Sequence, residues 1–197
     1  MSKYIYPHLS QITDEERSYC YGQQGQILWF TGLSGSGKTT LATALEKVLI
    51  NKGKITCLLD GDSIRAGMNS DLGFDDASRR ENIRRLAELA VYLAGQSLIV
   101  LVSAISPHAS MREFAKNRAD ENQILLTEIY VKASLEICKQ RDPKKLYQSA
   151  LSHNIKNFTG IDSLYEPPLS PDLVIETEII KPEEALLSLL KFINFSE

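Results

Sequence analysis

A chain of 197 residues with 43% hydrophobic and 24% charged side chains has the make-up of a single soluble domain with a proper core, not of a disordered, collagen-like or disulfide-scaffold protein. Its net charge of −3 argues against a partner such as polymeric nucleic acid, which needs a broad basic surface, but leaves room for a small anion in a local basic pocket. The longest apolar run, near Ser97–Ile105, is far short of the ~20 residues of a membrane span, and the opening MSKYIYPHLSQITDEER lacks the apolar core of a secretory signal.

Apolar runs alternate with helical patterns along the chain. Gln26–Thr31 (QILWFT) reads as a buried strand ending at Gly32. Lys38–Asn51 carries Leu41, Ala44, Leu45, Val48 and Leu49 at helical spacing. Ile55–Asp60 is a second strand. Ser78–Ala94 is a long helix with Ile83, Leu86, Ala87, Ala90 and Leu93 on one face, ended by Gly95. Ser97–Ser103 is a third strand, Arg112–Ala119 a helix, and Ile124–Val131 a fourth strand followed by a short helix through Leu135 and Cys138. Leu173–Glu176 is a fifth strand, and Pro182–Phe192 a closing helix with proline in its first turn.

Strands that alternate with helices and are apolar on both faces predict a parallel sheet covered on both sides. Ligands then bind at the carboxyl ends of the strands, which singles out the loops after Thr31, Asp60 and Ser103. The long polar stretch Arg141–Pro171, with Pro143, Gly160, Pro167 and Pro168, has the length and composition of a lid or binding loop. The expected architecture is one domain over 1–197, with an N-terminal extension at 1–24 and a lid and substrate loop at 141–171. It is an α/β fold, a five-stranded parallel sheet between helices with a mobile lid.

Between the first strand and its helix lies Gly32-Leu33-Ser34-Gly35-Ser36-Gly37-Lys38-Thr39, followed by Thr40. This is G-x-x-x-x-G-K-[ST] in the strand–helix context it requires. Its glycines let successive N–H groups point inward at phosphate oxygens, aided by the positive helix end. Lys38 can reach the β- and γ-phosphates of ATP, and Thr39 can ligate Mg²⁺. A GTPase reading fails because Asn51-Lys52-Gly53-Lys54 lacks the guanine-reading Asp. The third strand also ends in Ser103, where a Walker B strand has Asp. A small-molecule kinase fits better, and the expected fold class is an α/β P-loop NTPase of the nucleoside-kinase kind.

The second strand ends in Asp60-Gly61-Asp62, two carboxylates that can project to one side of the sheet rim. Asp60 is assigned to the metal side and Asp62 to the base that accepts a proton from an attacking hydroxyl. Arg65 is followed by four arginines within seven residues, Arg79, Arg80, Arg84 and Arg85. Arginine suits bidentate capture of phosphate or sulfate. Arg79, near the Asp62–Phe74 loop, is placed in the site, and Arg84 and Arg85 in pairing with Glu81 and Glu88.

The chain resembles the adenylyl-sulfate kinase (APS kinase) family from about Ile12 to Glu178. The shared runs are Ile12-Thr13 with Glu16-Arg17, WFTGLSGSGKTT (29–40), LDGDSIRAGMNSDLGF (59–74), RRENIRR (79–85), ISP (105–107), RDPKKLY (141–147) and IKNFTGIDSLYEPP (155–168). The resemblance implies ATP and Mg²⁺ as cofactors and transfer of the γ-phosphoryl to the 3′-hydroxyl of adenosine 5′-phosphosulfate (APS), giving PAPS. It implies that Arg65, Arg79 and Asn82 hold the phosphosulfate and ribose, and that Phe74 and Phe158 sandwich the adenine. Ile105, Ser106 and Pro107 would border the pocket, Lys144 and Leu146 belong to the lid, and Arg141 touches ATP. Family descriptions also mark the serine at position 106 as a phosphoserine intermediate. Phe158, in a polar glycine-containing loop, is the less core-like of the two phenylalanines.

The chain departs from the family at Ala109, where an arginine is usual, at Ser78, at Leu151-Ser152-His153, and at Lys145 in place of glycine. Two rival readings follow: a P-loop kinase for a different nucleotide-activated small molecule, and a catalytically weak nucleotide-binding module. The family is commonly homodimeric. Cys20, Cys57 and Cys138 are far apart and show no metal-ligand spacing with His8, His108 or His153, as expected of free thiols in a reducing cytoplasm. The triplets Asn157-Phe158-Thr159 and Asn194-Phe195-Ser196 carry no weight without a secretion signal.

Overall fold

The computed structural model describes residues 10–152, 155 and 157–193; His8, His153 and the triplet at 194–196 lie outside the described residues. In chain order the elements are α1 (Asp14–Tyr21), β1 (Gln26–Thr31), α2 (Lys38–Asn51), β2 (Thr56–Asp60), α3 (Gly61–Ala66) and α4 (Asp76–Ala94). They continue with β3 (Ile99–Ser103), α5 (Ala109–Glu121), β4 (Leu125–Lys132), α6 (Leu135–Arg141), α7 (Leu146–Leu151), β5 (Leu173–Glu176) and α8 (Pro182–Phe192). The five strands form one sheet in the order β2-β3-β1-β4-β5, and every pairing is parallel.

Alternation along β1 divides the core. Ile27 and Trp29 point to a cluster with Leu86, Val102 and Met111 under α4 and α5, while Leu28 and Phe30 point to a cluster with Leu45, Leu49, Ile129 and Leu189 under α2 and α8. Fully burying one such side chain stabilises by ~1.5–3 kcal/mol, so the central strand is held from both faces. The register also positions the site. Ser103 pairs with both Phe30 and Asp60, so the carboxyl ends of β1, β2 and β3 finish side by side.

Three helices were not expected. Helix α1 lies in the N-terminal extension, started by a capping box between Thr13 and Glu16. The extension is tied to the body by the buried Gln23, whose amide donates to the carbonyls of Ile55 and Ser97 at 2.9 and 2.7 Å. Helix α3 begins directly after β2, because Asp60 serves as its N-cap. Helix α7 contributes Tyr147 and Ala150 to a third hydrophobic cluster with Ala133, Cys138 and Phe158. Helix α4 starts two residues before the expected Ser78, since Asp75 caps it by accepting the Ser78 N–H at 3.0 Å.

Candidate active site

The loop from Gly32 to Thr39 runs from β1 into α2 and depends on glycine where the chain turns. Gly32 has φ +147°, and a Cβ there would meet the Val131 carbonyl oxygen at 2.4 Å. Lys38 is buried and donates to the carbonyls of Gly32 and Leu33 at 2.9 and 2.8 Å. Burial lowers its pKa to about 8, opposed by the nearby negative charges of Asp62 and Asp60. Both acids thus lie within electrostatic reach of the loop lysine.

Thr39 Oγ1 donates to Asp60 Oδ2 at 2.9 Å and lies 3.0 Å from Ser103 Oγ. Ser103, at the strand end where a Walker B strand has Asp, thereby joins the site as a hydroxyl. Thr39, Asp60 and Ser103 form an oxygen-only set, which suits a small hard cation such as Mg²⁺ that keeps water and phosphate as its other ligands. Asp62, in the first turn of α3, pairs with Lys144 from the segment before α7, a contact across 82 positions of sequence.

The expected substrate residues divide into several environments. Arg65 donates to the Gly73 carbonyl at 2.8 Å, and its guanidinium sits 4.7 Å from the ring centre of Phe74, which is 59% exposed. Arg79 is buried and donates to Thr159 Oγ1 at 2.8 Å, to Ser163 Oγ at 2.9 Å and to the Asn157 carbonyl. It fastens the lid loop to α4. Asn82 is also buried and accepts from Asn69 at 3.0 Å. Arg84 and Arg85 pair with Glu81 as expected, but Arg85 adds Asp71. Glu88 pairs with Arg118 of α5 and not with these arginines.

Phe158, expected to be the less core-like of the two phenylalanines, is the more buried of them. It is 8% exposed, and its ring meets Tyr147 edge-on at 5.0 Å. The surrounding loop is polar in sequence, yet α7 supplies apolar partners that no local pattern announced. Leu146 packs against the same cluster. Gly160, at φ +89°, brings the lid loop against Leu33, since a Cβ there would lie 3.3 Å from that side chain.

Ile105 and Ser106 are held from below. The Ile105 carbonyl accepts from Thr31 Oγ1 at 2.7 Å. Ser106 has φ +46° and is 1% exposed; its Oγ accepts from the Trp29 indole at 3.0 Å and its carbonyl from Arg112 at 2.8 Å. Arg141 donates to the Thr177 carbonyl at 2.6 Å, and Thr177 donates to the Ser36 carbonyl at 2.8 Å, which braces the phosphate loop from β5. Tyr147 donates to the Ser34 carbonyl at 3.0 Å, a second brace. Thr177, Tyr147 and Asn69 carried no sequence signal for these contacts, which span 13–141 positions.

The family model described as adenylylsulphate kinase matches residues 24–176, from the turn before β1 to the end of β5. The adenylyl-sulfate kinase of Yersinia pestis is 48% identical over 186 residues, which cover 93% of this chain and 86% of that protein. Among solved structures, the Mycobacterium tuberculosis APS kinase in complex with AMPPNP and APS is similar with a TM-score of 0.84 at 41% identity, over 87% of this chain and 99% of that one. A hexameric APS kinase from Thiobacillus denitrificans gives 0.67 at 30% identity, over 88% of this chain and 29% of that one. The family model and these relatives match the chain over most of its length, and the chain belongs to the adenylyl-sulfate kinase family.

Proposed function

We propose that this protein transfers the γ-phosphoryl group of ATP to the 3′-hydroxyl of adenosine 5′-phosphosulfate, releasing ADP and 3′-phosphoadenosine 5′-phosphosulfate. The observation that carries the reading is the 2.9 Å hydrogen bond from Thr39 to Asp60, which joins the phosphate loop to the end of β2 with Asp62 on the next turn. Loop N–H groups and Lys38 hold the triphosphate. Thr39 and Asp60 would hold Mg²⁺, which supplies charge neutralisation on the phosphate oxygens when bound. Asp62 takes the proton of the 3′-hydroxyl as its oxygen forms a bond to the γ-phosphorus and the bond from that phosphorus to the β,γ-bridging oxygen breaks.

The acceptor is positioned by groups of three elements. Arg65 and Phe74 from the α3–α4 segment offer a cation and an exposed ring for a base, and base–aromatic stacking is worth ~1–3 kcal/mol. Asn82 and Arg79 from α4 contribute donors for oxygen, and the 105–107 loop forms a wall. Lys144 adds a lid cation beside Asp62, so acceptor binding exchanges one partner of the base for another. Ser106 acts through the shape of its loop, because its hydroxyl is buried against Trp29. Direct in-line transfer to the 3′-oxygen requires no phosphorylated side chain.

Among the described residues no helix is long and apolar enough to cross a membrane, and the three cysteines are free. A cytoplasmic setting and a homodimer accompany the proposal, the second being open to sedimentation analysis. The activity is tested by ADP release with APS, with AMP and with a nucleotide sugar as acceptors. ADP release that depends on APS supports the proposal. Release with another conjugate only identifies a kinase of different acceptor, and no release with any acceptor identifies a binding module.

A further inference from the structure

Asn69 follows α3 in a turn with no regular structure of its own, yet it is 0% exposed. Its Nδ2 donates to Asn82 Oδ1 at 3.0 Å, and its Oδ1 receives Arg85 Nη1 in a long contact of 3.5 Å. Arg85 is itself fixed by two 2.8 Å hydrogen bonds to Asp71 and one of 2.9 Å to Glu81.

The chemistry of this relay runs in one direction. A guanidinium only donates, so the Asn69 atom facing Arg85 is the oxygen. The Asn69 atom facing Asn82 is then the NH₂ group, and the Asn82 atom that receives it is the oxygen. The Nδ2 of Asn82 is left as the donor for something else, and among the described residues no acceptor takes it. An amide that could sit either way round is thereby set to one polarity, without appeal to how its atoms were assigned.

We propose that Asn69 is a positioning residue for acceptor binding: through Asp71, Glu81 and Arg85 it locks Asn82 with its NH₂ group toward the crevice, where it recognises an anionic or hydroxyl oxygen of the acceptor nucleotide. This rests on the proposed function, in which Asn82 touches APS, and goes beyond it by naming the residue that orients the contact. Asn69 touches no substrate atom itself.

The test compares Asn69→Leu, Asn82→Leu and the double variant in steady-state kinetics with APS and ATP varied separately, with thermal unfolding as a check on folding. Leucine keeps the shape and removes the amide. Asn69→Leu is expected to raise KM for APS about tenfold, a change of ~1.4 kcal/mol, with KM for ATP within about twofold. Asn82→Leu is expected to do the same, and the double variant to be no worse than Asn82→Leu alone, because the two residues act as one contact. Asn69→Asp is the second variant. It has the same outline and lacks the donor, and its charge is held by Arg85; a folded Asn69→Asp is expected to raise KM for APS at least as far.

Equal rises in both KM values, or multiplicative effects in the double variant, would show a general structural role and overturn the proposal. Should Asn82→Leu raise KM for APS while folded Asn69 variants do not, orientation by Asn69 is wrong and the Asn82 contact stands. Should Asn82→Leu leave KM for APS unchanged, the contact itself is wrong, and the proposal falls with it.

Discussion

Replacing Arg112 by methionine is expected to cost this fold more than any surface arginine would. The side chain is 5% exposed, its Nε lies 2.8 Å from Glu128 Oε1, and its Nη1 donates to the Ser106 carbonyl. Removing one member of a buried ion pair leaves an uncompensated charge, at about 3–5 kcal/mol. The lower end applies, because Glu128 is 17% exposed and its Oε1 accepts no well-aligned hydrogen bond. For a chain of this length a loss of ~3 kcal/mol lowers Tm by roughly 6–12 °C. The penalty depends on pH in a definite direction. Burial already raises the Glu128 carboxyl pKa against the opposing pull of Arg112. Without the cation the folded-state pKa rises further, so the folded form binds the proton more tightly than the unfolded chain. Its stability is then greatest below the unfolded carboxylate pKa and is lost as pH rises through the folded value. The assay is thermal unfolding followed by circular dichroism at pH 5 and pH 8, with Arg112→Met/Glu128→Met alongside. The single variant should suffer more at pH 8, and the double variant should recover most of the loss. A Tm drop under about 2 °C, or a double variant as unstable as the single, would refute the burial argument.

Other outcomes follow from the same geometry. Because Lys38 has its pKa lowered to about 8 by burial, ATP binding must return a proton to it at higher pH; calorimetry should show ATP affinity weakening above pH 8 with proton uptake, and a flat profile to pH 9.5 would contradict this. Lys144 and Asp62 are 55% and 66% exposed, so Lys144→Met should leave Tm within ~2 °C, as exposed pairs contribute little, while raising KM for APS. A large Tm loss would show that the pair is structural. Phe74→Ala should likewise spare stability, its ring being mostly exposed, yet weaken APS binding by ~1–3 kcal/mol if the ring stacks on the base. Unchanged APS affinity by titration would remove Phe74 from the site.

How legible this protein was depends on the range of the interaction. The five strands and their parallel arrangement follow from short apolar runs, most clearly in β1 and β3, which are buried on both faces, whereas β5 at the edge buries only Ile175. The phosphate loop is legible because its chemistry is contiguous: the glycines, Lys38 and Thr39 act within eight positions of one another. The place of Asp60 at the end of a strand is legible in the sequence, although its place as the α3 N-cap is not. Contacts made across the fold left no trace in the pattern. Thr177 bracing Ser36, Lys144 meeting Asp62 and Asn69 orienting Asn82 are polar residues in unremarkable neighbourhoods, brought together by the lid and by strand order. The burial of Phe158 is illegible for the same reason, because its apolar partners come mostly from α6 and α7 and not from its own loop. Arg79 is drawn to the site by its sequence neighbourhood alone, and its bonds to Thr159 and Ser163, 80 and 84 positions away, required the coordinates.

The central claim is that Asp62 accepts the proton of an attacking nucleotide hydroxyl beside the phosphate loop. The direct measurement is product formation by Asp62→Asn, followed by phosphorus NMR with ATP and APS, beside ATP affinity by calorimetry. Loss of a general base predicts a fall in the rate of 3′-phosphate formation of roughly 10²–10⁴-fold, with ATP affinity within about twofold. Turnover near the wild-type rate, or loss of ATP binding in step with loss of turnover, would contradict it.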